Sequence, residues 1–397
     1  MPVRARDIPS ASPRSGAVSA KARPSAAEAA EAARRRMADP AYRIDADSRR
    51  GRGAVSNPTG RYEPSAREDF DDGWDLDEEL YRLPTEVTIE KPRTIIARND
   101  SPDLGFDRSI NPYRGCEHGC VYCFARPSHA FQGLSSGIDF ETKLFAKPSA
   151  PDLLAKELRS PGYEPKVIAL GANTDPYQPI ERRFRTTRAV LEVLDRANHP
   201  VGIVTKSALV IRDLDILRRM ADRQLVKVAI SVTTLDPKLA RRMEPRAASP
   251  ARRIDTIRQL AAAGIPVTVL VAPIIPAIND HEIEAILQAA HAAGAREAGY
   301  VLLRLPHDLK DLMRDWLAEH YPDRLNRVFS LLQGAHGGAD YKAEWRTRQT
   351  GVGPFAWMIG RRFEIAAARL GYATRSFRMR TDLFSPPSRD TGQLSLF

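Results

Sequence analysis

At 397 residues and 43% hydrophobic content, the chain is long enough for one large catalytic domain with appendages. Its 60 Lys and Arg against 50 Asp and Glu leave a formal charge of +10, which suits a polyanionic partner such as nucleic acid without requiring one. No apolar run reaches bilayer-spanning length and no apolar signal region follows Met1, so no membrane association is expected and the expected compartment is the cytoplasm.

Residues 1–62 are rich in Ala, Arg, Pro and Ser and poor in aromatic and β-branched residues. They read as a disordered basic lead with one short helix through 26–37. The stretch 68–79 (EDFDDGWDLDEE) is acidic and reads as linker, or as a phosphate mimic folded onto a basic groove. Residues 1–91 are thus expected to be disordered or linker.

From about residue 92 strand-like and helix-like patterns alternate. Short apolar runs stand at 166–170 (KVIAL), 201–205 (VGIVT), 226–232 (VKVAISV), 266–271 (PVTVLV) and 299–303 (GYVLL). Helical patterns fill 186–198, 211–223, 250–263, 280–293 and 309–320, and Gly264 and Gly294 sit where helices end. With a first strand near 108–112, six such units predict an α/β fold. An open partial (β/α)6 TIM-type barrel over 92–322 is preferred and a doubly wound sheet is the alternative. Residues 323–385 are expected to form a small helical extension closing the open side, and 386–397 a flexible tail.

All 3 cysteines fall in 109–126 (SINPYRGCEHGCVYCFAR), as C-x3-C-x2-C with Tyr122 before the last. An odd, clustered set does not read as a disulfide framework. Cys116, Cys120 and Cys123 can wrap three corners of a [4Fe–4S] cubane, leaving one iron open to a small molecule. Gly115 and Gly119 suit the tight turns such a loop needs. A zinc site with His118 or His129 as fourth ligand is the competing reading.

At these residues the chain resembles the radical S-adenosylmethionine (radical SAM) superfamily, whose pattern is C-x3-C-x-aromatic-C after the first barrel strand. The resemblance implies two cofactors, a [4Fe–4S] cluster and S-adenosyl-L-methionine, and an external electron donor. It also implies reductive cleavage to a 5′-deoxyadenosyl radical that abstracts hydrogen from a substrate, with Tyr122 near the adenine. The family often carries Gly-Gly-Glu after the second strand to hold the methionine amine. Here 171–181 reads GANTDPYQPIE, leaving Asn173, Thr174 and Asp175 as candidates for that role or for turn-making. Lys206 can pair with the cofactor carboxylate, Ser231 and Thr233 can bond its ribose or carboxylate, and Arg246 is a further candidate.

The spacings from Cys116 to Lys206 and Ser231 resemble the spore photoproduct lyase-like branch, which acts on DNA. That lyase uses a cysteine near the end of the second strand as hydrogen donor. Gly171 and Ala172 occupy that neighbourhood here and no fourth cysteine exists. Lyase activity therefore does not carry over, and Tyr177 or Tyr300 are the candidates for quenching a radical.

The chain ends TGQLSLF, resembling the bacterial sliding-clamp binding peptide: Leu394, Leu396 and Phe397 would fill apolar pockets while Gln393 fixes orientation. The other reading is a tail folded back on the domain. The expected function is therefore a radical SAM enzyme acting on DNA or a DNA lesion. The alternatives are action on RNA or protein, and a non-catalytic metal-binding nucleic-acid module.

Overall fold

The computed structural model describes residues 25–39, 42–63 and 83–387. Among the described residues ten strands appear: β1 (Glu86–Ile89), β2 (Ile96–Arg98), β3 (Arg108–Ile110), β4 (Tyr113–Arg114), β5 (Lys143–Ala146), β6 (Ile168–Leu170), β7 (Val201–Thr205), β8 (Val226–Ser231), β9 (Val267–Ile274) and β10 (Glu297–Leu302). The main sheet runs β10-β9-β8-β7-β6-β3-β2. Its members from β3 to β10 are parallel, with Ile110 beside Leu170, Leu170 beside Ile203, Ile203 beside Val228 and Tyr300 beside Val271. Strand β2 runs antiparallel on the outer edge of β3. Since β10 and β2 end the order, the barrel stays open, as the six-unit reading expects.

Strands buried on both faces read as continuous apolar runs, and here Ile168, Leu170, Val201, Ile203, Val228 and Val269 are all sealed. The helices Thr186–Arg196, Leu214–Asp222, Pro250–Ala262 and Ile283–Ala292 lay their apolar faces on this sheet. The helix Ile283–Ala292 buries Ile283, Ile286, Leu287 and Ala290, the set its spacing predicts. A smaller sheet, β1-β5-β4, flanks the cysteine loop.

The N-terminal region departs from expectation. Residues 25–39 and 42–63 form a strap, and β1 belongs to the small sheet, so 1–91 is not wholly disordered or linker. The helix Ala26–Ala38 carries a capping box from Ser25 and Glu28 and buries Ala30, Ala33 and Met37 against the helices Leu309–His320 and Leu325–Ala335. Two of these three are alanines, which an inventory of large apolar residues overlooks. Three of the strap's arginines make long-range ion pairs: Arg36 to Asp315 at 2.7 Å, and Arg43 and Arg49 to Glu319 at 2.7 and 2.9 Å.

The domain boundary expected at 322 also shifts. Leu325, Val328, Phe329 and Leu332 share one core with Leu309, Leu312, Trp316, Val55 and the cysteine loop's Val121. Beyond them, the helix Gly353–Leu370 packs on the helix Ile283–Ala292 and on β10 at the sheet edge. The acidic stretch 68–79 and the C-terminal Gln393, Leu394, Leu396 and Phe397 lie outside the described residues.

Candidate cofactor site

The cysteine loop leaves β4 and lies across the C-terminal ends of β6, β7 and β8. Gly115 (φ +69) and Gly119 (φ +68) occupy left-handed turns in which an added Cβ would crowd Phe140 O at 2.9 Å and Glu141 Oε2 at 2.7 Å. A buried ion pair braces the loop from behind. Arg126 donates to Cys120 O (2.8 Å), Ser136 O and Gly137 O and pairs with Glu141. The Glu141 carboxylate also accepts the N–H groups of Gly53 and Ala54, each at 2.8 Å, so the strap is tied to the loop. Gln178 clamps the near side, donating to Gly115 O and accepting from Glu117 N.

Cys116 and Cys120 are buried and Cys123 is partly exposed. Burial pushes all three thiols up, Cys120 to about 12 despite the pull of Lys206. Three thiolates at such a site need cationic compensation, which iron supplies, so the donor set fits a cluster. Of the two histidines in the zinc alternative, His129 has its Nε2 committed to a backbone carbonyl, 2.9 Å from Lys143 O, and His118 has its Nδ1 against a carboxylate, 3.3 Å from Asp175 Oδ2. Among the described residues, no group of three or more His, Cys, Asp or Glu could hold a single metal ion.

The polar residues after the strands separate into committed and free. Thr174 donates to Tyr113 O at 2.8 Å. Asp175 accepts from Thr205 Oγ1 (2.7 Å), Lys206 N (2.8 Å) and Tyr177 N (2.9 Å) besides facing His118. Burial alone would raise the Asp175 carboxyl, but His118 and these donors hold it down to about 2. Both residues therefore position the loop. By contrast, the side chains of Asn173, Lys206 and Ser231 make no hydrogen bond or ion pair among the described residues. The Lys206 ammonium lies 5.7 Å from the centre of the Tyr122 ring, at the strand ends beside Cys120. These three are free to receive an amino-acid carboxylate, an amine or a ribose.

Behind Tyr122 stands a network that sequence patterning does not reveal. The Tyr122 hydroxyl donates to Glu244 and lies 3.2 Å from Thr233 Oγ1; Glu244 in turn sits 2.5 Å from Arg253. Thr233 also donates to Ala272 O, and Asn279 donates to Thr233 O and Pro273 O, joining the ends of β8 and β9. Glu244 is two residues from the singled-out Arg246, which faces Glu117 at 3.2 Å instead of the barrel. Tyr177 and Tyr300 do not serve the barrel interior. Tyr177 is sealed in the core with Arg212 over its ring, and Tyr300 packs on Phe363 of the outer helix. At Gly171 (φ +87) an added Cβ would lie 2.2 Å from Val204 O, so no side chain fits there.

The Radical SAM superfamily model matches residues 110–290. An uncharacterized protein of Mycobacterium tuberculosis is 34% identical over 248 residues, 62% of this chain and 73% of that one. The chain belongs to the radical SAM superfamily. A further relative, an uncharacterized protein of Methanocaldococcus jannaschii, is 30% identical over 174 residues, 44% of this chain and 62% of the relative. Among solved structures, spore photoproduct lyase complexed with dinucleoside spore photoproduct superposes with a TM-score of 0.51 at 16% identity, covering 72% of this chain and 79% of that one. A tyrosine-to-phenylalanine mutant of that lyase does so at 0.51 and 17% identity, with the same coverage. This radical SAM chain thus shares that lyase's fold, and its family works with a [4Fe–4S] cluster, S-adenosylmethionine and a reductant. No described helix is long and apolar enough to cross a membrane.

Proposed function

We propose that Cys116, Cys120 and Cys123 hold a [4Fe–4S] cluster and that this enzyme acts on DNA or a DNA lesion. When bound, the cluster and S-adenosylmethionine supply reductive cleavage to methionine and a 5′-deoxyadenosyl radical. The observation that carries the reading is the free Lys206 ammonium beside the buried thiols at the strand ends. Lys206 pairs with the cofactor carboxylate, Asn173 takes its amine, Ser231 its ribose, and Tyr122 borders the adenine. Asp175 and Thr174 hold the loop in place and exclude water from beneath it.

DNA as the target is supported by the charge of +10 and by the likeness to a lyase solved with a dinucleoside photoproduct. Gly171, with no room for a thiol-bearing side chain, separates this enzyme from that lyase's hydrogen donor. Gln393, Leu394, Leu396 and Phe397 would tether the enzyme to a sliding clamp, and the cytoplasm is the fitting compartment.

The test is anaerobic reconstitution with iron and sulfide, followed by dithionite and S-adenosylmethionine. Release of 5′-deoxyadenosine by the wild type but not by Cys120→Ala is expected. No release from a wild type that carries iron and sulfide would overturn the reading. Salt-dependent retention on duplex DNA is the expected sign of the substrate class.

A further inference from the structure

Arg304 stands just past β10, the edge strand of the main sheet, and its guanidinium lies 4.8 Å from the centre of the Phe124 ring. Phe124 directly follows Cys123. The guanidinium makes no ion pair or hydrogen bond among the described residues, and its Nε is buried without a partner. Other arginines drawn out of water are matched: Arg126 pairs with Glu141, Arg253 with Glu244, Arg314 with Asp340 and Arg348 with Asp103. The nearest carboxylate along the chain, Asp308, faces Arg61 at 3.4 Å. A guanidinium held partly out of water with no anion carries a desolvation cost that a bound anion removes.

Two unpaired cations thus converge on residues 122–124. Lys206, from the end of β7, lies by the Tyr122 ring, and Arg304, from the end of β10, lies by the Phe124 ring. Strands β8 and β9 stand between β7 and β10, so the two cations rise from strands three spacings of about 4.8 Å apart. S-adenosylmethionine has one anionic group, its carboxylate, which falls to Lys206; its sulfonium is positive. An anion at Arg304 therefore belongs to a second molecule. Phe124 indicates its chemistry. The residue is 44% exposed with the guanidinium over its ring, which leaves aromatic surface open to another flat group. A nucleotide carries both an anionic phosphodiester and a flat base, and a guanidinium fork beside an aromatic ring suits that pair.

We propose that Arg304 and Phe124 form an anchoring subsite for an unpaired nucleotide of the DNA substrate, with Arg304 gripping a phosphodiester and Phe124 stacking on the adjoining base. The proposal rests on the reading of DNA as the target and of Lys206 as the partner of the cofactor carboxylate. Paired bases stack on one another and offer no free face to a side-chain ring. The subsite therefore favours a single strand over a duplex.

The probes are a fluorescein-labelled oligothymidylate, a duplex of the same length and an abasic strand that keeps the phosphates. Each is titrated into reconstituted holoenzyme with S-adenosylmethionine present. The oligothymidylate is expected to bind more tightly than the duplex. Arg304→Met should weaken its binding about tenfold and lower the salt slope by about one, and Arg304→Lys should recover part of the affinity. Phe124→Leu should weaken oligothymidylate binding about tenfold and leave abasic-strand binding nearly unchanged. Iron and sulfide content and S-adenosylmethionine affinity, read on the same samples, should match the wild type. Variants that bind the oligothymidylate as the wild type does overturn the subsite and leave the DNA reading standing. A parallel fall in cofactor affinity also overturns it, by assigning Arg304 to the cofactor. So does an RNA strand held more tightly than the DNA, with the same loss in the variants. A wild type that binds neither strand nor duplex condemns the DNA reading, and the subsite with it.

Discussion

His118 Nδ1 lies 3.3 Å from Asp175 Oδ2, and through this contact the cysteine loop is fastened to the ends of β6 and β7. Asp175 also receives Thr205 Oγ1 and two backbone N–H groups, so its loss strands several buried donors at once. Each unsatisfied donor costs about 1–3 kcal/mol. Asp175→Ala should lower the melting temperature and the iron bound per chain together. Asp175→Asn should recover part of both. Calorimetry with iron and sulfide analysis checks this.

Lys206→Met keeps the apolar stem over Tyr122 and removes the ammonium. A hydrogen bond to a charged group is worth about 1.5–3 kcal/mol, so S-adenosylmethionine should bind roughly ten- to a hundredfold more weakly. Cluster content should be unchanged. Equilibrium binding of the cofactor to the reconstituted variant separates this from damage to the loop.

Gly53→Ala places a methyl where Gly119 O already stands. Overpacking of this kind costs about 1–3 kcal/mol and should loosen the strap, seen as faster proteolysis near residues 49–55. Gly105→Ala, where an added Cβ meets nothing within 4 Å, should leave stability almost unchanged.

His199 is buried with Nε2 2.9 Å from Tyr163 Oη and its ring edge-on to Phe384. Burial depresses it to about 4 from an ordinary value near 6.5. The neutral ring is favoured by folding, so its contribution is complete above pH 6.5 and is lost as pH falls from 6.5 toward 4. The loss is on the order of 3 kcal/mol. His129 and His320 shift the same way, so His199→Gln should flatten the fall in melting temperature between pH 7 and 5 without abolishing it.

The barrel is legible because its strands are sealed on both faces and declare themselves as apolar runs. Val201–Thr205 matches its run end to end, whereas β6 begins at Ile168 because Lys166 turns out to Asp107 at 2.9 Å. The cysteine loop is legible because its three ligands are local in sequence. Glu244 and Arg253 are not, since an acid after a short helix and an arginine on an Arg-rich helix look like solvated surface until folding buries them at 1–2% exposure. The strap escaped for a similar reason. Its anchors Asp315 and Glu319 are more than 250 residues away, and several of its close contacts use Gly and Ala, which carry little apolar signature.

That separation has a bearing on biogenesis. A ribosome makes the strap well before the helix Leu309–His320, which carries Asp315 and Glu319. Until that helix emerges, Arg36, Arg43 and Arg49 lack the carboxylates they pair with in the folded chain, and the strap has only its ties to Glu141. The long-range ion pairs of the strap therefore close only after strands β1 to β10 have been made.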